Sequence, residues 1–494
     1  SSDLMDAIGR SGRVAAKEAA ADSLDITFAP MVDISRDPRW GRTSEGFGED
    51  TYLVSRIAEV MVKAFQGTSP ANADSIMASV KHFALYGAVE GGRDYNVVDM
   101  SPVKMYQDYL PPYRAAIDAG AGGVMVALNS INGVPATANT WLMNDLLRKE
   151  WGFKGVTISD HGAIQELIRH GVARDGREAA KLAIKAGIDM SMNDSLYGKE
   201  LPGLLKSGEI QQSDIDNAVR EVLGAKYDMG LFKDPYLRIG KAEDDPADTY
   251  ADSRLHRAEA RDVARRSLVL LKNRNETLPL KKTAKVALVG PLAKAPIDMM
   301  GSWAAAGKPA QSVTLLDGLN AVIGEKGKII YARGANITND KAVVDYLNFL
   351  NFDAPEVVND PRPAQVMIDE AVKAAQQADV VVVTVNSLDG KSAQDYADDF
   401  YDYNGYGIGT DKSGILLLVS MEARDWHITT TGFGIRAITD AGLDYISDQF
   451  QHYLSDGEYL DAFLFGIAAV VFAWFFKRFF NWQLRRQIGR ASCR

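Results

Sequence analysis

Along the first 232 residues, short apolar runs rich in β-branched residues alternate with longer stretches whose apolar positions recur every three or four residues. The runs are "DITFAPMVDI", "SIMASVKHF", "GGVMVALNS", "GVTISD" and "AGIDMSM". They are apolar on both faces, as strands of a covered parallel sheet are. Between them, "TYLVSRIAEVMVKAFQG", "YLPPYRAAIDAG" and "DGREAAKLAIKAG" carry helical spacing. Repeated β-α units with polar residues gathered at the C-terminal ends of the strands predict an α/β fold of the (β/α)₈ barrel type. Only five strands are legible where closure needs about eight. The barrel over residues 1–232 is therefore expected to be partial, with the shortfall most simply at the N-terminus.

The pattern changes twice more. Residues 233–254 are polar and proline-punctuated and read as a linker. Residues 255–385 hold a second α/β unit of few strands, with "KVALVG", "KIIYARG" and "ADVVVVTV" as its apolar runs. Past Val385 the chain turns rich in Tyr, Asp and Gly, and then offers two further strands, "SGILLLVSM" and "RDWHITTTG", and a helix, "DAGLDYISDQFQHYL". Residues 461–480 contain the uncharged run "FLFGIAAVVFAWFF", closed by Lys477 and Arg478. A buried core helix accounts for such a run, but the flanking cations, Trp474 and Trp482 favour a membrane-seeking helix. Residues 481–494 form a basic tail.

Composition narrows the function. A net charge of −10 over 494 residues argues against nucleic acid as a partner, because phosphate binding needs a basic face. A lone cysteine, Cys493, rules out an internal disulfide framework and a thiolate metal cluster. No metal and no cofactor is expected. The opening "SSDLMDAIGRSGRVAAKEAA" reads as a small-residue helix with no signal-peptide pattern.

Candidate chemistry lies at the strand tips. "RDPRWGRTSEGFGED" follows one strand, "KHF" closes the next, and "SDH" closes another. Loops that follow barrel strands share one rim, so Arg42, Lys81, His82 and Asp160 can converge although distant in sequence. The first three are donors suited to a polyhydroxylated ligand, and Asp160 is an acceptor and a candidate nucleophile among them. Taken singly, each has a plainer role. Asp160 could N-cap the helix "AIQELIRH", Lys81 could be salt-bridged and His82 hydrogen-bonded, and Trp40 could pack beneath a structural turn.

The long, ordered motifs "FAPMVDISRDPRWGRTSEGFGED", "SVKHFALYGAVEGG", "VMVALNSINGVPATAN", "GVTISDHGAI" and "ARRSLVLLKNRNETLPL" resemble glycoside hydrolase family 3, in particular its two-domain bacterial β-glucosidases, over about residues 2–385. The resemblance implies a partial barrel followed by a partial α/β sandwich domain, a periplasmic or extracellular setting, and β-glucosides or oligosaccharides as substrate. It implies retaining hydrolysis, with Asp160 attacking the anomeric carbon and Arg42, Lys81 and His82 holding the sugar. Family members of the N-acetylglucosaminidase type carry an Asp-His acid pair after "KHF", and the loop here, "ALYGAVEGGRDYN", has no histidine.

Retention also needs an acid to protonate the leaving oxygen. In the two-domain members it is a Glu beyond the strand that matches "ADVVVVTV", but "NSLDGKSAQDYADDF" follows here and contains none. Asp389, Asp395, Asp398 and Asp399 read as a solvated acidic turn, so the acid/base stays unassigned. From Val380 onward the chain instead resembles the TPM domain of small membrane-anchored proteins, an α/β segment over residues 386–460 followed by the apolar C-terminal helix. "DVVVVTV" fits both families. The chain thus reads as a chimera joined near residues 379–390, and its last residues, "QIGRASCR", resemble a translated adapter. Alternatives to an active glycosidase are a sugar-binding remnant without turnover and a membrane-associated TPM-type protein, in which Asp402, Asp411 and Asp425 are candidate ligands.

Overall fold

Helix Ser2–Ala21 opens the first of two units, which divide the chain between Leu268 and Val269. The computed structural model describes residues 2–239, 254–268, 278–300, 308–350, 358–385, 414–420 and 425–431.

In the first unit, strands Ile26–Thr27, Met77–Phe83, Gly123–Val126 and Val156–Ser159 lie side by side in that order, all parallel. The last two are buried at every position, which is why their sequences show no alternation. "AGIDMSM", expected as a fifth strand, contributes a single parallel bridge, Met190 to Ile158. Side chains cut that ladder short at both ends. The Asp189 carboxylate takes the Thr157 N–H at 2.8 Å, and Ser159 Oγ takes the Met192 N–H at 2.8 Å.

Helix Thr51–Gln66 shows how the layer outside the sheet is specified. Asp50 caps it by accepting from Leu53 N at 2.6 Å, and Val54, Ile57, Ala58, Val62 and Phe65 form its buried stripe. Each of the larger apolar side chains contributes about 1.5–3 kcal/mol when fully buried. Helix Gly176–Ala186, capped by Asp175, instead buries mostly alanines, so it approaches its neighbours closely.

The stretch expected as a linker is tied down at its start. Arg238 is 1 % exposed; it donates to Asp25 Oδ1 at 2.7 Å and to the carbonyls of Ser75 at 2.8 Å, Asn72 at 3.1 Å and Pro70. Helix Arg254–Ser267, on the far side of residues 240–253, belongs to the first unit. Its Glu259 pairs with Arg10 at 2.8 Å and its His256 meets Glu18 at 2.7 Å.

The second unit is built on one sheet with the order Asp425–Thr431, Gly414–Ser420, Val380–Val385, Lys285–Val289, Lys328–Ala332. All neighbours are parallel except the outermost pair, in which Asp425–Thr431 runs antiparallel to Gly414–Ser420. Val381 and Val383 pack with Ala371 and Ala374 of helix Ala364–Ala375 on one face, and Val382 packs with Val286 and Leu288 on the other. The expected helix "DAGLDYISDQFQHYL", the apolar segment 461–480 and the tail 481–494 lie outside the described residues. Among the described residues no helix is long and apolar enough to cross a membrane.

Candidate active site

Three of the residues singled out in the sequence meet at the C-terminal ends of the strands. His82 stands near the end of Met77–Phe83, 1 % exposed, with its Nε2 3.0 Å from Arg42 Nη2 and 3.6 Å from Asp160 Oδ2. Arg42 enters from the loop after the first strand. There "RDPRWGR" makes a short 3₁₀ turn, Pro38–Trp40, capped by Asp37 and closed by Gly41 at φ 76°. Trp40 is buried below it and donates its indole N–H to Asp94 at 2.9 Å, the packing role anticipated for it. The Arg42 guanidinium is held flat by a bidentate pair with Glu45, at 2.8 and 3.0 Å, and lies over the rings of Trp40 and Tyr86. Burial opposes its charge, but the Glu45 carboxylate outweighs this and keeps it firmly protonated.

Tyr86 belongs to the loop after "KHF", which lies directly against the extended segment between the first strand and Arg42. A Cβ at Gly87 would sit 2.3 Å from the Ile34 carbonyl oxygen, so only glycine permits that approach. The His82 ring in turn meets Tyr86 edge to face, with centroids 5.2 Å apart.

Asp160 does not cap the following helix. Ala163–Arg169 takes Gly162 as its N-cap, without any side-chain bond. One Asp160 oxygen, Oδ1, accepts from the His161 N–H at 2.7 Å. The other, Oδ2, is buried and has no hydrogen-bond partner among the described residues. A carboxylate oxygen left so is costly unless something uses it. Lys81, next to His82, is half-buried, and burial pushes its ammonium below its ordinary value. The Arg42 charge adds to this, while Glu45, Asp160 and Asp33 oppose it.

Asp33, Tyr113 and Glu45 complete the cluster and were not singled out from sequence. Asp33 is fully buried behind His82 and accepts from it twice, and Tyr113 reaches it from helix Pro111–Asp118. The available signal was a lone acid inside an otherwise apolar strand, "FAPMVDIS". Among the described residues no three His, Cys, Asp or Glu side chains gather as a metal site. Asp389, Asp395, Asp398, Asp399, Asp402 and Asp411 lie outside the described residues, and Asp425 opens the outermost strand of the second unit.

The parallel sheet thus carries, at its C-terminal rim, basic groups and a carboxylate oxygen without a hydrogen-bond partner, the rim on which barrel enzymes place their sites. Residues 1–225 match the glycosyl hydrolase family 3 N-terminal domain and residues 268–412 its C-terminal domain. These two matches place residues 1–225 and 268–412 in glycosyl hydrolase family 3. Residues 367–472 match the TPM domain, so the two patterns overlap over 367–412. The overlap contains strand Val380–Val385, which has a neighbour from family 3 sequence on one side, Lys285–Val289. On its other side lies Gly414–Ser420, matched by the TPM domain alone.

A "Periplasmic beta-glucosidase" of Salmonella typhimurium is 62% identical over 390 residues, covering 79% of this chain and 51% of that protein. A "Beta-xylosidase" of Formosa agariphila is 34% identical, covering 75% of this chain and 50% of that one. The crystal structure of a beta-glucosidase from Listeria innocua in complex with isofagomine superposes with a TM-score of 0.67 at 39% identity, over 78% of this chain and 51% of that chain. The chain spans about half the length of these relatives.

Proposed function

We propose that this chain carries the sugar-binding half of a retaining β-glucosidase, with Asp160 as the nucleophile and Arg42, Lys81 and His82 as the groups that hold the glucose ring. The observation that carries the reading is the buried Asp160 Oδ2 without a partner, 3.6 Å from His82 Nε2. A nucleophile must be ionised, unshielded and fixed, and Asp160 is fixed through Oδ1 while Oδ2 faces the cluster. In the reaction Oδ2 attacks the anomeric carbon as the aglycone oxygen leaves, giving a glycosyl ester that water then hydrolyses. The substrate class, a terminal β-glucoside, and a periplasmic setting follow the Salmonella and Listeria relatives.

Among the described residues none is assigned as the acid that protonates the leaving group. Its loss lowers the rate roughly 10²- to 10⁴-fold, and least for leaving groups that are stable as anions. The test therefore uses a 2-deoxy-2-fluoro-β-glucoside with an acidic phenol as leaving group, followed by peptide mass mapping. The expected label is on the peptide containing Asp160 and is absent in Asp160→Ala. A folded protein labelled elsewhere removes the assignment. Sugar binding without turnover is the second reading, favoured by the lack of any glutamate in "NSLDGKSAQDYADDF"; glucose binding without labelling would establish it.

A further inference from the structure

One oxygen of Asp33 makes two bonds to the same residue. Oδ2 accepts from the His82 backbone N–H at 2.9 Å and from its ring Nδ1 at 2.8 Å. Oδ1 accepts from the Tyr113 hydroxyl at 2.5 Å. Asp33 and Tyr113 are each 0 % exposed and His82 1 %, so water does not compete for any of these bonds. Burial pushes the Asp33 carboxyl up, but the His82 ring and N–H and the Tyr113 hydroxyl outweigh it, and the net shift is downward.

A carboxylate only accepts, so Nδ1 must carry the proton. On the other side of the ring, Arg42 only donates, so Nε2 must offer a lone pair across the 3.0 Å contact. The two requirements select the same neutral tautomer from opposite ends of the ring. The clasp on both the backbone and the ring of His82 also fixes the ring plane, because a flip would strand a buried carboxylate. With the proton on Nε2 instead, that nitrogen would oppose the Arg42 N–H and turn toward Asp160 Oδ2, 3.6 Å away. The nucleophile would then gain a partner and Arg42 would lose one.

We propose that Asp33, seconded by Tyr113, is a positioning residue for this site: it locks His82 in the Nδ1–H tautomer and thereby keeps Arg42 on Nε2 and Asp160 Oδ2 unpaired. The proposal deepens the β-glucosidase reading and rests on it for the consequence to sugar binding. The lock on His82 is a property of the protein alone.

The test has two arms on the full chain. Nitrogen NMR of the His82 ring in the unliganded protein reads the tautomer, and calorimetry with glucose reads the pocket. In Asp33→Asn, whose side chain can offer an amide N–H, the ring is expected to leave the pure Nδ1–H form. Glucose affinity is expected to fall about 10- to 100-fold, as misplaced binding groups produce. Tyr113→Phe, which keeps the carboxylate and removes one donor, is expected to move the same resonances partway and weaken glucose several-fold. A folded Asp33→Asn with unchanged ring resonances overturns the proposal, as does unchanged glucose affinity beside a wild type that binds. If Asp33→Asn does not fold, the Tyr113→Phe pair of measurements decides in the same way. If wild type binds no glucose, the β-glucosidase reading fails by itself, and the NMR arm still decides whether Asp33 sets the His82 tautomer.

Discussion

Two carboxylates are buried at opposite ends of the same sheet, and they behave in opposite ways. Asp33, at the C-terminal rim, has no lysine or arginine within bonding distance among the described residues, yet its carboxyl is held below the usual aspartate range. Asp189, where the fourth strand begins, pairs with Arg148 at 2.7 Å and accepts from Thr157 N at 2.8 Å and Thr157 Oγ1 at 2.7 Å, yet burial pushes it up to about 6. The donors are shared at one site and not at the other. Arg148 also donates to the Phe153 and Gly155 carbonyls, and Glu221, 4.0 Å from it, adds a second negative charge. The donors around Asp33 point at Asp33. At Asp189 burial outweighs the salt bridge, whereas at Asp33 the attraction and hydrogen bonds of His82 and the bond from Tyr113 outweigh burial. The rim carboxylate holds the backbone and ring of His82, while the one at the base ties strand, helix and loop together.

Removal of each group separates the two regions. Asp33→Ala leaves His82 and Tyr113 with buried unmet donors and is expected to cost about 3–5 kcal/mol, read by urea unfolding. Asp189→Ala should cost less, about 1.5–3 kcal/mol, since Arg148 keeps its two carbonyl acceptors. If Asp189→Ala proves the more destabilising, the argument from shared donors is wrong.

The pH dependence has opposite signs. The Asp189 pKa is raised from 3.8 to about 6, so between these values the native state holds the extra proton and stability falls as pH rises. A shift of that size corresponds to about 3 kcal/mol, and Asp189→Asn should flatten the profile between pH 4 and about 6. The Asp33 pKa is lowered, so its contribution is present above 3.8 and is lost as pH falls below that value. Asp33→Asn should change the profile only there. The smallest effect is expected of Tyr113→Phe, about 1–2 kcal/mol for one bond to a buried carboxylate.

What could be read from the chain follows the same division. Strand runs and rim motifs are contiguous in sequence, so Arg42, His82 and Asp160 were visible before their geometry was known. Asp33 was not, because its partners lie 49 and 80 residues away, on another strand and on a helix that shows only a tyrosine beside two prolines. "AGIDMSM" has the composition of a strand, but the carboxylate of its own Asp189 takes the N–H that a ladder would need. The linker reading of residues 233–254 missed Arg238 for a similar reason, since its acceptors are mostly backbone carbonyls and leave no side-chain signature.

Strand Val380–Val385 offers both flanks of its backbone to parallel neighbours, pairing Val381 with Ala287 on one side and with Leu416 on the other. Its valines feed hydrophobic clusters above and below the sheet. Such a segment asks of its surroundings only hydrogen bonds and oil, and those requirements are indifferent to ancestry. A ribbon of valine is therefore a place where one lineage of sequence can hand over to another without the sheet registering a fault.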